Sequence, residues 1–215
     1  LMPPIGAIFV ITMSIPPIHV ISLTRAIERR QTITQRLNEL KLPFQFFDAF
    51  DASKNEHLAV SRYSHWRRML RFGRAMSPAE IGLFAGHYAL WQRIASEPHI
   101  PYQVVMEDDG VLDDELPIFL NALAYIKQPW GSIKLGMYSP HAPHRLITSS
   151  FFNQRDLVEY HTYKRPLATW GYVLTPSAAQ QLLQHATHWY ESVDGYMDRF
   201  WLHGVSCYAV SPPLI

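Results

Sequence analysis

An α/β fold with a mostly parallel central sheet flanked by helices is what this 215-residue sequence predicts, and three observations predict it. Short apolar, β-branched runs alternate with segments of helical periodicity, the order that builds a parallel sheet. Two helix starts are written in full, Ser77-Pro78-Ala79-Glu80 and Thr175-Pro176, each with a hydroxyl at the cap and proline at the first helical position. One apolar run, Val104-Val105-Met106, ends abruptly in Glu107-Asp108-Asp109, and the ends of strands are where open α/β sheets bind ligands. A hydrophobic content of 48% is enough to bury one substantial core.

The elements follow in order. His19 to Leu23 reads as the first buried strand. Thr24 then opens an amphipathic helix with Ile27, Ile33, Leu37 and Leu40 on one face. Arg25, Arg29 and Arg30 stand at its start, where they oppose the helix dipole unless an anion is bound there, so phosphate binding competes with a solvated basic surface. Pro43 closes the helix, and Phe44 to Phe47 gives a second strand finishing at Asp48-Ala49. From Asp51 to Met76 the pattern loosens. Arg62, Arg67, Arg68, Arg71 and Arg74 crowd around His65, Trp66 and Met69, either as a solvated helix face or as a surface for an anionic membrane.

Ser77 to about Ala95 is a helix with Ile81, Phe84, Tyr88, Trp91 and Ile94 inward. His87 lies in the same pattern, with a buried, hydrogen-bonded role and a ligand-facing role in even competition. Tyr102 to Met106 is the strand that delivers the acids, and a helix opened by Asp113 buries Leu116, Phe119, Leu120 and Leu123. Ser132 to Gly136 is a further strand, in which Lys134 needs an acid or a phosphate partner. Residues 137–164, with His141, His144, Arg145 and His161, read as a long functional loop. Thr169 to Leu174 is a strand, Thr175 starts a helix with Ala179, Leu182, Leu183 and Ala186 inward, and Val205 to Val210 is the last strand.

Composition narrows the function classes. A net charge of +1 carries no overall bias toward nucleic acid. Cys207 stands alone, which rules out an internal disulfide and fits a reducing, cytoplasmic compartment, with an anionic membrane surface as the second reading of the arginine cluster. The apolar run from Ile5 to Leu23 is broken by Pro16-Pro17 and lacks a basic start, against both a signal peptide and a spanning helix. Met13 is a candidate natural start, with residues 1–18 a leader or flexible segment and 19–215 a single domain. An aromatic content of 13% hints at a cleft where rings stack on flat or ring-shaped ligands.

Three adjacent carboxylates repel one another, and hard divalent cations prefer such oxygen ligands. If the strand continues through them, Glu107 and Asp109 share one face and Asp108 takes the other. Asp109 is then the first metal ligand and Glu107 the second. Acids, arginines and rings together suit a metal-bound diphosphate joined to a sugar.

Several blocks of the chain resemble the family 25 glycosyltransferases, the bacterial lipopolysaccharide and lipooligosaccharide sugar transferases. These are His19-Val20-Ile21-Ser22-Leu23 with Glu28-Arg29-Arg30, Pro43 to Ala49, Glu80-Ile81-Gly82 with His87 and Trp91, Glu107-Asp108-Asp109, Trp170-Gly171-Tyr172, and Val193-Asp194. The resemblance implies a GT-A fold with a Rossmann-like half. It implies inverting transfer, commonly of galactose from UDP-galactose or another UDP-hexose, to a glycolipid oligosaccharide acceptor, with Mn²⁺ or Mg²⁺ at Glu107 and Asp109. The donor would be gripped by Ser22, Arg25, Arg29, Arg30, Asp48, Ala49, His87, Asp108 and Lys134, and the sugar or acceptor by Thr169, Trp170 and Gly171. Inversion needs a base for the acceptor hydroxyl. Asp194, the late aspartate, is preferred over Asp198.

The chain departs from the family where members carry Cys-x-x-Ser-His, having Leu83-Phe84-Ala85-Gly86-His87 there, and it ends at Ile215 where relatives continue into a further segment. Two rivals are a domain that binds nucleotide or glycan without turnover, and a phosphatase. The phosphatase reading has Glu107 where its nucleophilic aspartate should stand.

Overall fold

The computed structural model describes residues 15–54, 62–139, 144–160 and 166–215. The proposed start at Met13, together with His141, His161 and Lys164, lies outside them.

The strands are β1 (Ile18–Ser22), β2 (Gln45–Asp48), β3 (Gln103–Glu107), β4 (Ser132–Lys134), β5 (His144–Phe152), β6 (Arg155–Tyr160), β7 (Gly171–Leu174) and β8 (Cys207–Ser211). The helices are α1 (Ile27–Glu39), α2 (His65–Phe72), α3 (Pro78–Ser96), α4 (Leu116–Ala122), α5 (Pro176–His185), α6 (Val193–Met197) and α7 (Phe200–His203). All eight strands join one sheet in the order β2-β1-β3-β7-β4-β8-β6-β5.

The sheet corrects the expectation of mostly parallel pairing. β2, β1 and β3 are parallel neighbours, as are β4 and β8, but β7 runs against both β3 and β4, and β6 against both β8 and β5. The sheet is mixed, with a parallel half at one edge. A second correction concerns residues 137–164: their described part contains the hairpin β5/β6, not a loop without structure. Its two-residue turn, Asn153-Gln154, has positive φ at both positions, the geometry that matches the twist of a hairpin. Asn-Gln is a rarer way to write that turn than Asn-Gly.

Period-two alternation along the central strands separates two cores. Ile18, Val20, Val104, Met106 and Val173 face the side covered by α1 and α4, while Ile21, Val105, Tyr172 and Leu174 face α3 and α5. Both fully buried tryptophans, Trp91 and Trp189, lie in this second core. Phe84 stacks on Trp189 with ring centroids 4.4 Å apart, and Trp91 and Tyr196 close around them.

Helix starts follow the sequence where capping groups are present. Ser77 and Glu80 form the full capping box of α3, and the Thr175 side chain accepts the amide of Ala178. Thr24, in contrast, does not cap α1: the helix begins at Ile27 from Ala26 with no side-chain cap, and Ile27 is exposed while Ile33 and Leu37 are buried. No helix among the described residues is long and apolar enough to cross a membrane.

Candidate functional site

The parallel half of the sheet brings two strand ends together. β1 ends at Ser22 and β3 ends at Glu107, so Asp108 and Asp109 form a turn instead of continuing the strand. This changes the geometry expected of the acids. They share one cleft of about 260 Å³ with Ser22, Arg25 and Arg29 on one side, Ala49 and Phe50 after β2, and Ala79, Gly82 and Leu83 of α3 on the other. Small residues at Ala79 and Gly82, three apart on one helix face, leave the space open.

Each acid has its own surroundings. Asp108 is buried; its Oδ2 accepts the Ser22 hydroxyl at 2.6 Å, and its Oδ1 lies 3.1 Å from the Arg29 guanidinium. Asp109 is half-exposed and 3.8 Å from the same guanidinium. Partial burial, and then the negative charges of Glu107 and Asp108, push its carboxyl above the ordinary range in spite of Arg29. Glu107 accepts the Thr169 hydroxyl at 2.5 Å, and His87 Nε2 stands 3.6 Å away, beyond hydrogen-bond range. Burial pushes the Glu107 carboxyl up, but His87 and Thr169 outweigh it and hold it below its usual value.

Behind Glu107 a second cleft, of about 140 Å³, opens between Glu80, Leu83, Tyr138, Ala168, Thr169, Trp170, Ser192, Val193 and Asp194. Leu83 and Glu107 belong to both clefts and form the wall between them. Tyr138 and Trp170 lie with ring centroids 4.3 Å apart. Asp194 is half-buried; its Oδ1 accepts the amide of Gly195 at 2.7 Å and its Oδ2 the amide of Ala168 at 3.4 Å.

Several expected site residues are placed elsewhere. Lys134 and Asp198 meet each other in the interior, Nζ to Oδ1 at 2.7 Å, with side chains 3% and 0% exposed. Neither lines the two clefts described above, and among the described residues each is the other's ionic partner. His87 is fully buried, with Nδ1 2.9 Å from the Tyr172 hydroxyl and Nε2 3.6 Å from Glu107, which lines the cleft. Arg30 pairs with Asp48, donates to the Ser22 carbonyl and lies over the Phe46 ring, so that Arg30 and Asp48 are both used in joining α1 to β2. Arg25 lines the first cleft while bonded to Asp51 at 2.8 Å. Gly171 is packed under Ile215, where an added Cβ would come within 2.3 Å of the isoleucine Cδ1. Ser22, Ala49, Arg25, Arg29 and the three acids are brought together, as are Thr169, Trp170 and Asp194.

Tyr138 and Ser192 were not singled out from the sequence, and Ala79, Gly82 and Leu83 were named as parts of a helix start and of family blocks, not as cleft residues. For those three the i, i+3 spacing of small residues on α3 was the available signal. The need for a cation is also partly met within the chain, because Arg29 contacts both Asp108 and Asp109. Among the described residues no group of three or more His, Cys, Asp or Glu side chains is arranged to hold a metal ion.

The fold is that of an α/β protein in which a cleft with acids at the end of a parallel strand and arginines facing them lies beside an aromatic-lined pocket, with Glu107 in the wall between them. The chain belongs to glycosyltransferase family 25: the family model described as "Glycosyltransferase family 25 (LPS biosynthesis protein)" matches residues 15–197. It is 34% identical over 102 residues to the lipooligosaccharide biosynthesis protein lic2B of Haemophilus influenzae, covering 47% of this chain and 36% of that protein. Over 208 residues it is 25% identical to the lacto-N-neotetraose biosynthesis glycosyltransferase LgtE of Neisseria meningitidis serogroup B, covering 91% of this chain and 72% of that one. The probable inactive glycosyltransferase 25 family member 3 of Rattus norvegicus is 28% identical over 133 residues, 58% of this chain and 23% of that protein. The chain thus spans little more than a third of the length of lic2B.

Proposed function

We propose that this chain is the donor- and acceptor-binding domain of an inverting glycosyltransferase of GT-A type, which moves a hexose, galactose in the first instance, from a UDP-sugar to a lipopolysaccharide or lipooligosaccharide oligosaccharide. The observation that carries the proposal is the pair of clefts sharing Leu83 and Glu107. The first offers Arg25 and Arg29 to an anionic diphosphate; the second offers the Tyr138–Trp170 ring pair to a sugar face and the Asp194 carboxylate to a hydroxyl.

The residues present fit a divalent cation that draws part of its shell from the substrate. Asp109, half-exposed and only partly balanced by Arg29, and Asp108 supply hard oxygens, while Glu107 accepts the Thr169 hydroxyl. Mg²⁺-like ions are commonly held by one or two carboxylates with phosphates completing the shell. Bound there, Mn²⁺ or Mg²⁺ would offset the negative charge that grows on the departing diphosphate.

In the reaction so proposed, the Asp194 carboxylate takes the proton of the acceptor hydroxyl as its oxygen bonds to the anomeric carbon. The bond from that carbon to the diphosphate oxygen breaks on the opposite face, its electron pair leaving with UDP, and the anomeric configuration inverts. The Ala168 and Gly195 amides hold the Asp194 carboxylate in place. Glu107, fixed by Thr169, forms the wall against which the hexose lies.

UDP release from UDP-galactose, UDP-glucose and their N-acetyl forms, measured with an oligosaccharide acceptor with and without divalent metal, tests the whole reading. Asp194→Asn should lower transfer by about 10²- to 10⁴-fold, the usual worth of a positioned base, while UDP still binds. Transfer near the parent rate in that variant would remove Asp194 from the role. UDP binding without release from any of the four donors would replace the proposal with a binding-only domain.

A further inference from the structure

Helix α2 is amphipathic in the wrong sense for a helix that merely covers a core. Its one buried residue is Arg68, 4% exposed, whose guanidinium donates to the carbonyls of Arg74 at 3.1 Å and Tyr190 at 3.5 Å and lies 4.2 Å from the Phe72 ring centre. Trp66 and Leu70, one helical turn apart, face solvent at 70% and 69% exposure, with Met69 and Phe72 also exposed beside them. Folding alone would turn the tryptophan and leucine inward and the arginine out. On the wheel of the helix, Arg67 and Arg71 form a second ridge next to Trp66 and Leu70.

The charge around this ridge has one sign. Residues 62–79 contain five arginines and no acid, and among the described residues no carboxylate pairs with Arg67, Arg71 or Arg74. An apolar ridge with large aromatic and aliphatic side chains, shouldered by unpaired arginines, is complementary to a surface that is anionic outside and apolar just beneath. That is the boundary of an anionic lipid bilayer, where tryptophan settles at headgroup depth and arginine heads reach the phosphates.

The helix is also placed to matter. Its entry is bonded to the segment before α6: the Ser64 amide donates to the Trp189 carbonyl at 2.8 Å, and the Trp189 amide to the Arg62 carbonyl at 3.2 Å. Ser192, Val193 and Asp194 of the second cleft follow directly. Its exit leads through Gly73 to Ser77 and the first turns of α3, which supply Glu80 and Leu83 to the same cleft.

We infer that α2 docks the protein on an anionic lipid bilayer through Trp66, Leu70, Arg67 and Arg71, beside the second cleft. That this brings the cleft to a lipid-anchored acceptor rests on the function proposed above; the docking itself does not.

Co-sedimentation of the full chain with phosphatidylcholine vesicles, with and without about one third phosphatidylglycerol, tests the inference. The parent should bind the anionic vesicles at low salt, bind neutral ones far less, and lose most but not all of that binding at about 1 M salt, where charges are screened within ~3 Å. Arg67→Gln with Arg71→Gln should weaken binding roughly thirty-fold, from the attraction each arginine gains near an anionic leaflet. Trp66→Ser with Leu70→Ser should abolish the part that survives salt, and both variants should unfold at the parent temperature, since all four side chains are exposed. Absence of binding by the parent at low salt, or equal binding by the variants, overturns the inference. So does a parent dimer that is lost in Trp66→Ser/Leu70→Ser when vesicles bind neither protein, because the ridge would then join two copies. Vesicle binding without UDP release from any donor leaves the docking standing and removes the proposed transfer.

Discussion

Replacing Lys134 with methionine separates the two late aspartates by what each is for. The methionine keeps the length of the side chain and removes the ammonium that lies 2.7 Å from Asp198 Oδ1 and donates to the carbonyls of Leu167 and Ala168 at 3.0 and 2.8 Å. Asp198 is left in the interior with the Leu167 amide at 2.7 Å and the Cys207 thiol at 3.7 Å, and neither carries a charge that balances it. Breaking a buried pair in this way costs about 3–5 kcal/mol. For a chain of this length each kcal/mol moves the midpoint by about 2–4 °C, so Lys134→Met should lower it by roughly 6–20 °C. Adding Asp198→Asn removes the orphaned charge and keeps an acceptor for the Leu167 amide; at least half the loss should return. Thermal unfolding followed by circular dichroism reads both variants. A single variant within about 1 kcal/mol of the parent, or a double variant no more stable than the single, would refute the assignment of Asp198 to the interior and reopen it as the base.

Other predictions concern single contacts. Burial holds the His203 pKa at about 4, against ~6.5 when unfolded. The unfolded chain therefore takes up the proton first, and stability that is fully present above pH ~6.5 is lost as pH falls toward 4, by at most on the order of 3 kcal/mol. Denaturant midpoints between neutral and acid pH should show that slope, and His203→Gln should flatten it; an unchanged slope would count against the burial argument. Thr169→Val removes the hydroxyl that Glu107 accepts at 2.5 Å, so the Glu107 carboxyl should titrate at higher pH by NMR; no upward movement would mean that His87 alone governs it. In Gly136→Ala the new Cβ would lie 2.7 Å from the backbone oxygen of Ile215, whereas in Gly171→Ala it meets only the isoleucine tip. The first should cost about 1–3 kcal/mol and the second less in chemical denaturation, and the opposite order would show that the terminal segment yields more easily than the side chain.

The sequence by itself determined what depends on neighbours along the chain. Ser77, Pro78 and Glu80 specify a helix start because cap, proline and glutamate act within one turn, and the structure holds the complete capping box. The apolar runs at β1, β3 and β7 declare buried strands. The order of the resembling blocks carried the family, which the match over residues 15–197 shows.

What only the tertiary structure decided depends on meetings between distant positions. Strand direction is one such matter: an apolar run looks the same read either way, so the reversal of β7 and β6 left no mark on residue pattern. Residue partnership is another. Lys134 and Asp198 are 64 positions apart, and either could have faced a ligand until β4 and the turn after α6 were brought into contact. The same holds for Arg29, which meets Asp108 and Asp109 only because α1 lies over the end of β3. A carboxylate or an ammonium costs so much to bury alone that the sequence announces it needs a partner. Which partner, and whether ligand or protein, is fixed by distances that exist only in the folded chain.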